Sequence, residues 1–309
     1  MSPGYEALRH NAAWMNLGPR GRILARGRDR ARLLHNLTSN EIKKLAPGSG
    51  CYAFLLSPQG RIQADLTLLA FADHLLLDTE PELREKIVQH IRRYIVADQV
   101  ELEDVTASTC AVALEGPQAA AVLANAGSAI PGPDYSHLQW GEAAVASLSL
   151  TGQPGFRIYA AAARADEISG ALAAAGAQPA TDEEARLVRL ENGRPRYGED
   201  IRDTSLPQET GQMHAVSFNK GCYLGQEIVE RIRAQGHVNR KLIRLHLDSA
   251  APLAAGSKLT AGGADAGEIT SSAYSPALGK TVALAYVRAS YAEPGQALAT
   301  SGIPAVVAG

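Results

Sequence analysis

Apolar residues recur along this chain with two periods, and the change between them falls near residue 240. Before that point, helix-like and strand-like stretches are mixed. The spacing predicts a short helix over Tyr5–Asn16, a strand at Arg22–Arg26 and a second helix at Asp29–Asn40, whose Leu33, Leu34 and Leu37 share one face. Pro47-Gly48 breaks that helix. Two strand-like runs, Cys51–Leu56 and Gln63–Phe71, flank Ser57-Pro58-Gln59-Gly60, as a hairpin requires. His74–Asp78 is a third strand. Across Pro81–Ala97, Leu83, Ile87, Ile91 and Ile95 return at every fourth position, which predicts an amphipathic helix.

This order then repeats in degenerate form. Cys110–Glu115 reads as a strand, Gln118–Ala126 as a helix, Ala143–Leu148 and Phe156–Ala160 as a strand pair, and Asp166–Ala175 as a helix. Two α+β halves facing each other fit this pattern better than a doubly wound sheet. From Lys241 the texture changes to alternation (Leu242, Arg244, Leu245, His246, Leu247), turn-rich Gly, Ser and Pro, and short apolar runs such as Val282–Val287. A small β-barrel is expected there. The division is therefore 1–240, holding two α+β lobes, and 241–309, the barrel.

Composition narrows the function classes. The chain has 309 residues, 46% hydrophobic and 20% charged, with a net charge of −2. That length implies more than one packed unit, and that balance a globular protein. The opening segment lacks the basic-then-apolar pattern of a secretory signal, and no apolar run is long enough to span a bilayer, so neither export nor membrane residence is expected. Three dispersed cysteines, Cys51, Cys110 and Cys222, neither pair into a disulfide framework nor show zinc-site spacing. No metal site is expected, and a reducing cytoplasm fits best. The Asn36-Leu37-Thr38 sequon is then accidental. The chain has no phosphate loop, GxGxxG unit, HExxH or GxSxG elbow, which removes the common nucleotide, zinc-protease and serine-hydrolase readings.

Three constellations carry candidate chemistry. In Lys220-Gly221-Cys222-Tyr223-Leu224-Gly225-Gln226-Glu227, Gly221 permits a bend before the cysteine, and Ile228, Val229 and Ile232 mark a following helix. Helix N–H groups and Lys220 would favour the Cys222 thiolate; the alternative is a buried structural cysteine in a sharp turn. Next, Arg189-Leu190-Glu191-Asn192-Gly193 closes a helix that starts near Thr181, with Gly193 as its C-cap. A carboxylate there can accept two N–H groups of a heterocycle, or it is an ordinary charged helix end. Third, Asp65, in Gly60-Arg61-Ile62-Gln63-Ala64-Asp65, can position an amine or serve as a turn carboxylate. The Arg-rich stretches Arg20–Arg32 and Lys220–Arg244 could hold phosphates or a polyanionic tail, or simply face water. Aromatics are 5% of the chain and not interleaved with these charges, so no stable nucleic-acid complex is expected.

The run Lys220-Gly221-Cys222-Tyr223-Leu224-Gly225-Gln226-Glu227 resembles the complete KGCYxGQE signature of the YgfZ family, folate-binding relatives of the glycine-cleavage T-protein. Further likeness lies in Tyr5–Arg9, Gly27–Arg30, Leu34–Asn40, the Thr151-Gly152-Gln153-Pro154-Gly155-Phe156 turn, Thr270–Ser272, Ser275-Pro276 and Ala283–Val287. The resemblance implies a three-lobed fold around a central folate funnel, the last lobe a small barrel. It implies tetrahydrofolate as ligand, Glu191 as the residue gripping the pteridine, and Cys222 as the required thiol, assisted by Lys220. Arg189, Asp65, Tyr223, Gln226 and Glu227 complete the expected folate-side set. The implied role is support of iron–sulfur cluster assembly or repair in selected enzymes, radical-SAM tRNA-modifying ones among them, through transient contact with assembly proteins or clients. A monomer is expected.

One departure bears on the alternative, a folate-dependent aminomethyl- or methyltransferase. The transferases carry an Asp-Asp pair where this chain has Ala64-Asp65. A single cysteine cannot hold a stable cluster alone, so any cluster would need ligands from a partner.

Overall fold

Strand alternation and buried ion pairs, more than helices, organise this molecule. The computed structural model describes residues 1–309. Two antiparallel-rich sheets form the first two lobes. One orders its strands Ser49–Leu56, Ile62–Ala70, His74–Thr79, Gly21–Arg26 and Glu101–Asp104. The other orders Gln178–Pro179, Ala13–Asn16, Thr109–Glu115, Gly155–Ala161, Ala143–Ala146 and His137–Trp140. The third lobe is a closed six-stranded barrel running from Arg240 to Val307. The architecture is three-lobed, with mixed helix and strand content and a terminal barrel. No helix is long and apolar enough to cross a membrane.

Several elements are shorter than their apolar period predicts. The first helix covers only Pro3–His10, and Ala13–Asn16 is a strand instead. There Ala13 and Met15 are buried while Asn16 is exposed, which is the two-residue period of a sheet. The second helix stops at Leu37, because Thr38 turns extended and its hydroxyl donates back to the Leu34 carbonyl at 2.7 Å. Pro81–Ala97 resolves into a 3₁₀ turn at Pro81–Leu83 and a helix at Arg84–Arg92. Ile95 still packs against the core, from a turn rather than a helix.

Asp78 binds the first two lobes together. It is fully buried on strand His74–Thr79 and accepts hydrogen bonds from Arg20 Nε (2.8 Å), Arg157 (2.8 Å) and Tyr159 (2.7 Å). Arg157 and Tyr159 come from the facing sheet. Burial opposes this carboxylate, yet the guanidiniums of Arg157 and Arg20 outweigh it and hold its pKa low.

The barrel is fastened by a second buried carboxylate. Asp200 accepts from Arg189 (2.7 Å) and Thr270 (2.7 Å), and also from Ser271. Around it, Leu190 on the helix Asp182–Glu191 packs against Val282 and Leu284 of the barrel. That helix begins with a complete capping box at Thr181 and Glu184, and Gly193 beyond its end adopts a φ of +67°.

Candidate functional site

The hairpin Ser49–Leu56/Ile62–Ala70 faces its two successive residues, Ala64 and Asp65, in opposite directions. Ala64 is fully buried in the lobe core, whereas Asp65 lines a central cleft with a cavity volume of about 120 Å³. Tyr52, one strand away, donates its hydroxyl to Asp65 Oδ2 at 2.7 Å. The other oxygen, Oδ1, is buried with no partner, although the residue is only 9% exposed. Burial, and then the nearby Glu80 carboxylate, push the Asp65 carboxyl up to about 6. Glu80 itself is held by Arg20 and by Arg196 at 3.0 Å; they overcome the burial that opposes its charge and keep it ionised.

A polar wall completes the cleft. Tyr135 lines it with a φ of +66°, a left-handed conformation that a bulky residue rarely adopts. His214 stacks on Tyr52 with centroids 5.5 Å apart. Arg157 contributes a second buried atom without a partner, Nε. A wider depression of about 560 Å³ shares Arg20, Glu80, Leu150, Arg189 and Arg196 with the cleft, so ion pairs partition the centre of the molecule. Buried polar groups without partners inside a concave, preformed cleft are suited to a ligand that supplies the missing donors and acceptors.

The residues singled out in the sequence do not all meet here. Asp65 and Arg189 line the cleft. Arg189 is committed to Glu199 (2.5 Å) and Asp200 (2.7 Å). Glu191 is not among the lining residues; its carboxylate accepts from Tyr5 (2.6 Å), Arg9 (3.5 Å) and Ser275 (2.5 Å), joining the first helix to the barrel. Tyr52, Glu80, Tyr135 and His214 went unrecognised in the sequence, since no local pattern distinguishes them; Arg194, in the run that continues from Glu191 to Asp200, also lines the cleft.

The cysteine motif forms a separate place. Cys222 is exposed in a groove with His35, Asn36, Leu37, Lys43, Tyr94, Gly221, Tyr223 and Leu224. The helix beyond it opens only at Gln226, after Gly225 at φ +84°. A Cβ on Gly225 would lie 2.5 Å from the Ser57 carbonyl, so glycine lets the motif settle on the hairpin tip. Gln226 Oε1 accepts from the Tyr223 N–H at 3.3 Å, and Glu227 pairs with Arg231 in solvent. Tyr223 is buried in the first lobe's core.

Lys220 turns inward, away from the role of thiolate partner. Its ammonium donates to the backbone carbonyls of His35, Thr38 (2.6 Å) and Asn40 (2.8 Å), and lies 4.8 Å from the Tyr223 ring centroid. Cations are favourable at the carbonyl end of a helix, and here the end is that of Arg30–Leu37. Burial pushes the Lys220 pKa down to about 8. We expect Lys220→Met to strand these carbonyls and loosen the segment 217–224. Hydrogen exchange should rise there by tenfold or more while the barrel stays protected; unchanged exchange would refute the anchoring role.

The fold and the polar central cleft define a class of three-lobed proteins with a polar cleft at the junction of lobes. The chain belongs to the glycine-cleavage T-protein family: residues 3–220 match the GCVT N-terminal domain and residues 240–302 the glycine cleavage T-protein C-terminal barrel domain. It is 31% identical over 290 residues to an aminomethyltransferase of Rubrobacter xylanophilus, covering 92% of this chain and 78% of the relative. It is 29% identical to the aminomethyltransferase of Geobacillus kaustophilus, covering 94% and 83%. The fold overlays the crystal structure of aminomethyltransferase T from Bartonella henselae with a TM-score of 0.90 at 22% identity, covering 99% of this chain and 87% of that one.

Proposed function

We propose that the central cleft binds tetrahydrofolate and that the chain serves folate-dependent transfer of an aminomethyl or methyl unit, with Asp65 positioning the reacting nitrogen. The observation that carries this reading is the unpartnered Oδ1 of Asp65, buried and lining the cleft. The relatives' names support it, since those matched are aminomethyltransferases. Bound folate would supply a nitrogen that accepts or releases a one-carbon unit. Asp65, held by Tyr52, would accept an N–H of the substrate and keep the nitrogen lone pair aimed at the reacting carbon. With a pKa near 6 the carboxyl is ionised at neutral pH and close enough to it to exchange a proton.

The absence of the transferases' Asp-Asp pair weighs less against this than the sequence implied. Ala64 lies on the core side of the strand, so a carboxylate there would not face the cleft that Asp65 lines. Glu191 is tied to Tyr5, Arg9 and Ser275, which favours Asp65 as the carboxylate facing the pteridine.

A second reading rests on a different observation: a complete KGCYxGQE run whose Cys222 is exposed in its own groove. It is the YgfZ-type function, in which folate binding in the cleft accompanies iron–sulfur maintenance in client enzymes through the motif thiol.

Calorimetry with tetrahydrofolate on the wild type, Asp65→Asn, Glu191→Ala and Cys222→Ser separates these roles. We expect Asp65→Asn to lose at least tenfold in affinity, while Glu191→Ala keeps its affinity and melts earlier. Loss of binding in Glu191→Ala, with the fold intact by circular dichroism, would return the pteridine to Glu191. One-carbon transfer from an aminomethyl carrier that survives Cys222→Ser supports the transferase. No transfer by the wild type, together with failure of Cys222→Ser to restore iron–sulfur enzyme activity in a deficient strain, supports the second reading.

A further inference from the structure

The groove that holds Cys222 encloses about 480 Å³, and stretches remote in sequence line it: 35–37, Lys43, Tyr94 and 221–224. Its border is apolar where water would be expected to select polar residues. Tyr94, a lining residue, is 40% exposed, and Val96, two residues further along the same turn, is 89% exposed. Single exposed apolar residues are ordinary, but two together at the mouth of a groove mark a contact surface. Charge at this border is one-sided as well. Lys43, Arg92 and Arg93 are exposed and make no ion pair. The carboxylates on the same segments are committed: Glu41 to Lys44 at 3.6 Å, Asp98 to Arg32 at 2.7 Å, Glu227 to Arg231 at 2.6 Å and Glu230 to Arg233 at 3.4 Å. Glu85 accepts from Gln89 at 2.8 Å.

The groove also holds unused hydrogen-bonding capacity. Gly221 and Cys222 are exposed, and neither their N–H nor their C=O groups bond within the chain. Tyr223, which lines the groove, is only 8% exposed, yet its hydroxyl has no partner. An open backbone edge beside an apolar rim and unpaired cations suits a peptide chain. Such a chain pairs with the free backbone groups, seats an apolar side chain and brings carboxylates to the cations. Nucleic acid fits less well, because Tyr94 is the one exposed ring at the rim on which a base could stack.

We infer that this face is a docking surface for a partner protein, which it holds by an acidic, extended segment with an apolar residue among its carboxylates. The apolar residue seats against Tyr94 and Val96, the carboxylates meet Lys43, Arg92 and Arg93, and the segment runs past Cys222. This rests on the second reading above in making the docked protein the client of the thiol. The chain as a whole carries a net charge of −2, so a preference for acidic partners at this groove is local and not a property of the overall field.

The test follows disulfide exchange at Cys222 with short synthetic peptides whose central cysteine is activated by thionitrobenzoate. Each carries one leucine and is flanked by aspartates, by serines or by lysines. Cys51 and Cys110 are buried, and Cys222→Ser reports any reaction they contribute. Rates are normalised to that of neutral dipyridyl disulfide, which reads the reactivity of the thiol itself. At low salt the acidic peptide should react at least tenfold faster than the lysine peptide, with the serine peptide between, and the gap should close as salt rises. Lys43→Glu combined with Arg92→Glu and Arg93→Glu should reverse the order. Tyr94→Ala with Val96→Ser should slow the acidic peptide at least threefold, with no further loss when serine replaces the peptide's leucine. Equal normalised rates for the three peptides, or an order that survives the triple reversal, overturns the docking surface. An RNA hairpin that shields Cys222 while the peptides go undistinguished also overturns it and gives the face to nucleic acid. If Cys222→Ser restores iron–sulfur enzyme activity in the deficient strain, the second reading falls, while peptide selection at the groove still upholds the surface. If Cys222→Ser does not restore that activity but the triple reversal restores it fully, the assignment of the surface to the client is overturned.

Discussion

Replacing Asp65 by Asn should abolish folate-dependent chemistry and at the same time make the protein more stable. The carboxyl is buried, one oxygen has no partner, and both burial and Glu80 oppose its charge. Its pKa rises from 3.8 to about 6 in the folded chain. Below pH ~3 the group is protonated in folded and unfolded chains alike, so it costs nothing. Between about 4 and 6 the unfolded chain releases the proton while the folded chain keeps it, and stability falls as pH rises. Above 6 the cost is complete, on the order of 3 kcal/mol. Asparagine removes it while retaining a partner for Tyr52. Urea unfolding at pH 7 should therefore show Asp65→Asn as the more stable protein, and the difference should shrink toward zero as the pH is lowered to about 3. In the proposed transfer reaction the sign is reversed: there the ionised form acts, so kcat/KM in the wild type should rise with pH through about 6. A variant that is equally stable at both pH values, or a wild-type rate without that acidic limb, would contradict this account of the residue.

Removing Asp78 should be the most damaging single change outside the cleft. Asp78→Ala leaves the guanidiniums of Arg20 and Arg157 and the Tyr159 hydroxyl facing each other at the seam of two lobes. Stripping one partner from a buried ion cluster costs about 3–5 kcal/mol, because the remaining charges stay desolvated. Asp78→Ala combined with Arg157→Met should recover part of the loss, since one stranded cation goes with it. Denaturant midpoints for the wild type, the two single variants and the double variant form the cycle that checks this. Strict additivity of the two changes would show that the pair is not coupled and that the seam is held by something else. The same loss should weaken the proposed folate binding, because Arg20 and Arg157 line the cleft.

The chain order of helices and strands was legible because each lobe buries one face of its sheet, and a buried face imprints a period of two or 3.6 on the sequence. The barrel was legible from the alternation after residue 240 for the same reason. Element ends were not. Thr38, Asn11 and the Tyr94–Val96 turn stop their helices through local hydrogen bonds and packing that carry no periodic signature. The motif around Cys222 was visible as a string, but a string does not show which way a side chain points. Lys220 turns inward to three carbonyls, and Cys222 outward to a groove of its own.

The sequence by itself determined the architecture, the family likeness and the two carboxylates worth testing, Asp65 and Glu191. Only the tertiary structure separated their positions. Asp65 and its neighbour Ala64 differ by one step along a strand, and that step separates cleft from core. Glu191 is spent on joining the first helix to the barrel, through partners 186 and 84 residues away along the chain. The cleft itself is assembled from Arg20, Tyr52, Glu80, Tyr135, Arg157, Arg194 and His214, which lie on different elements of the first two lobes. Local patterning records what each segment buries against its nearest layer. It does not record which charges meet when the layers close, because that depends on distances between segments remote in sequence.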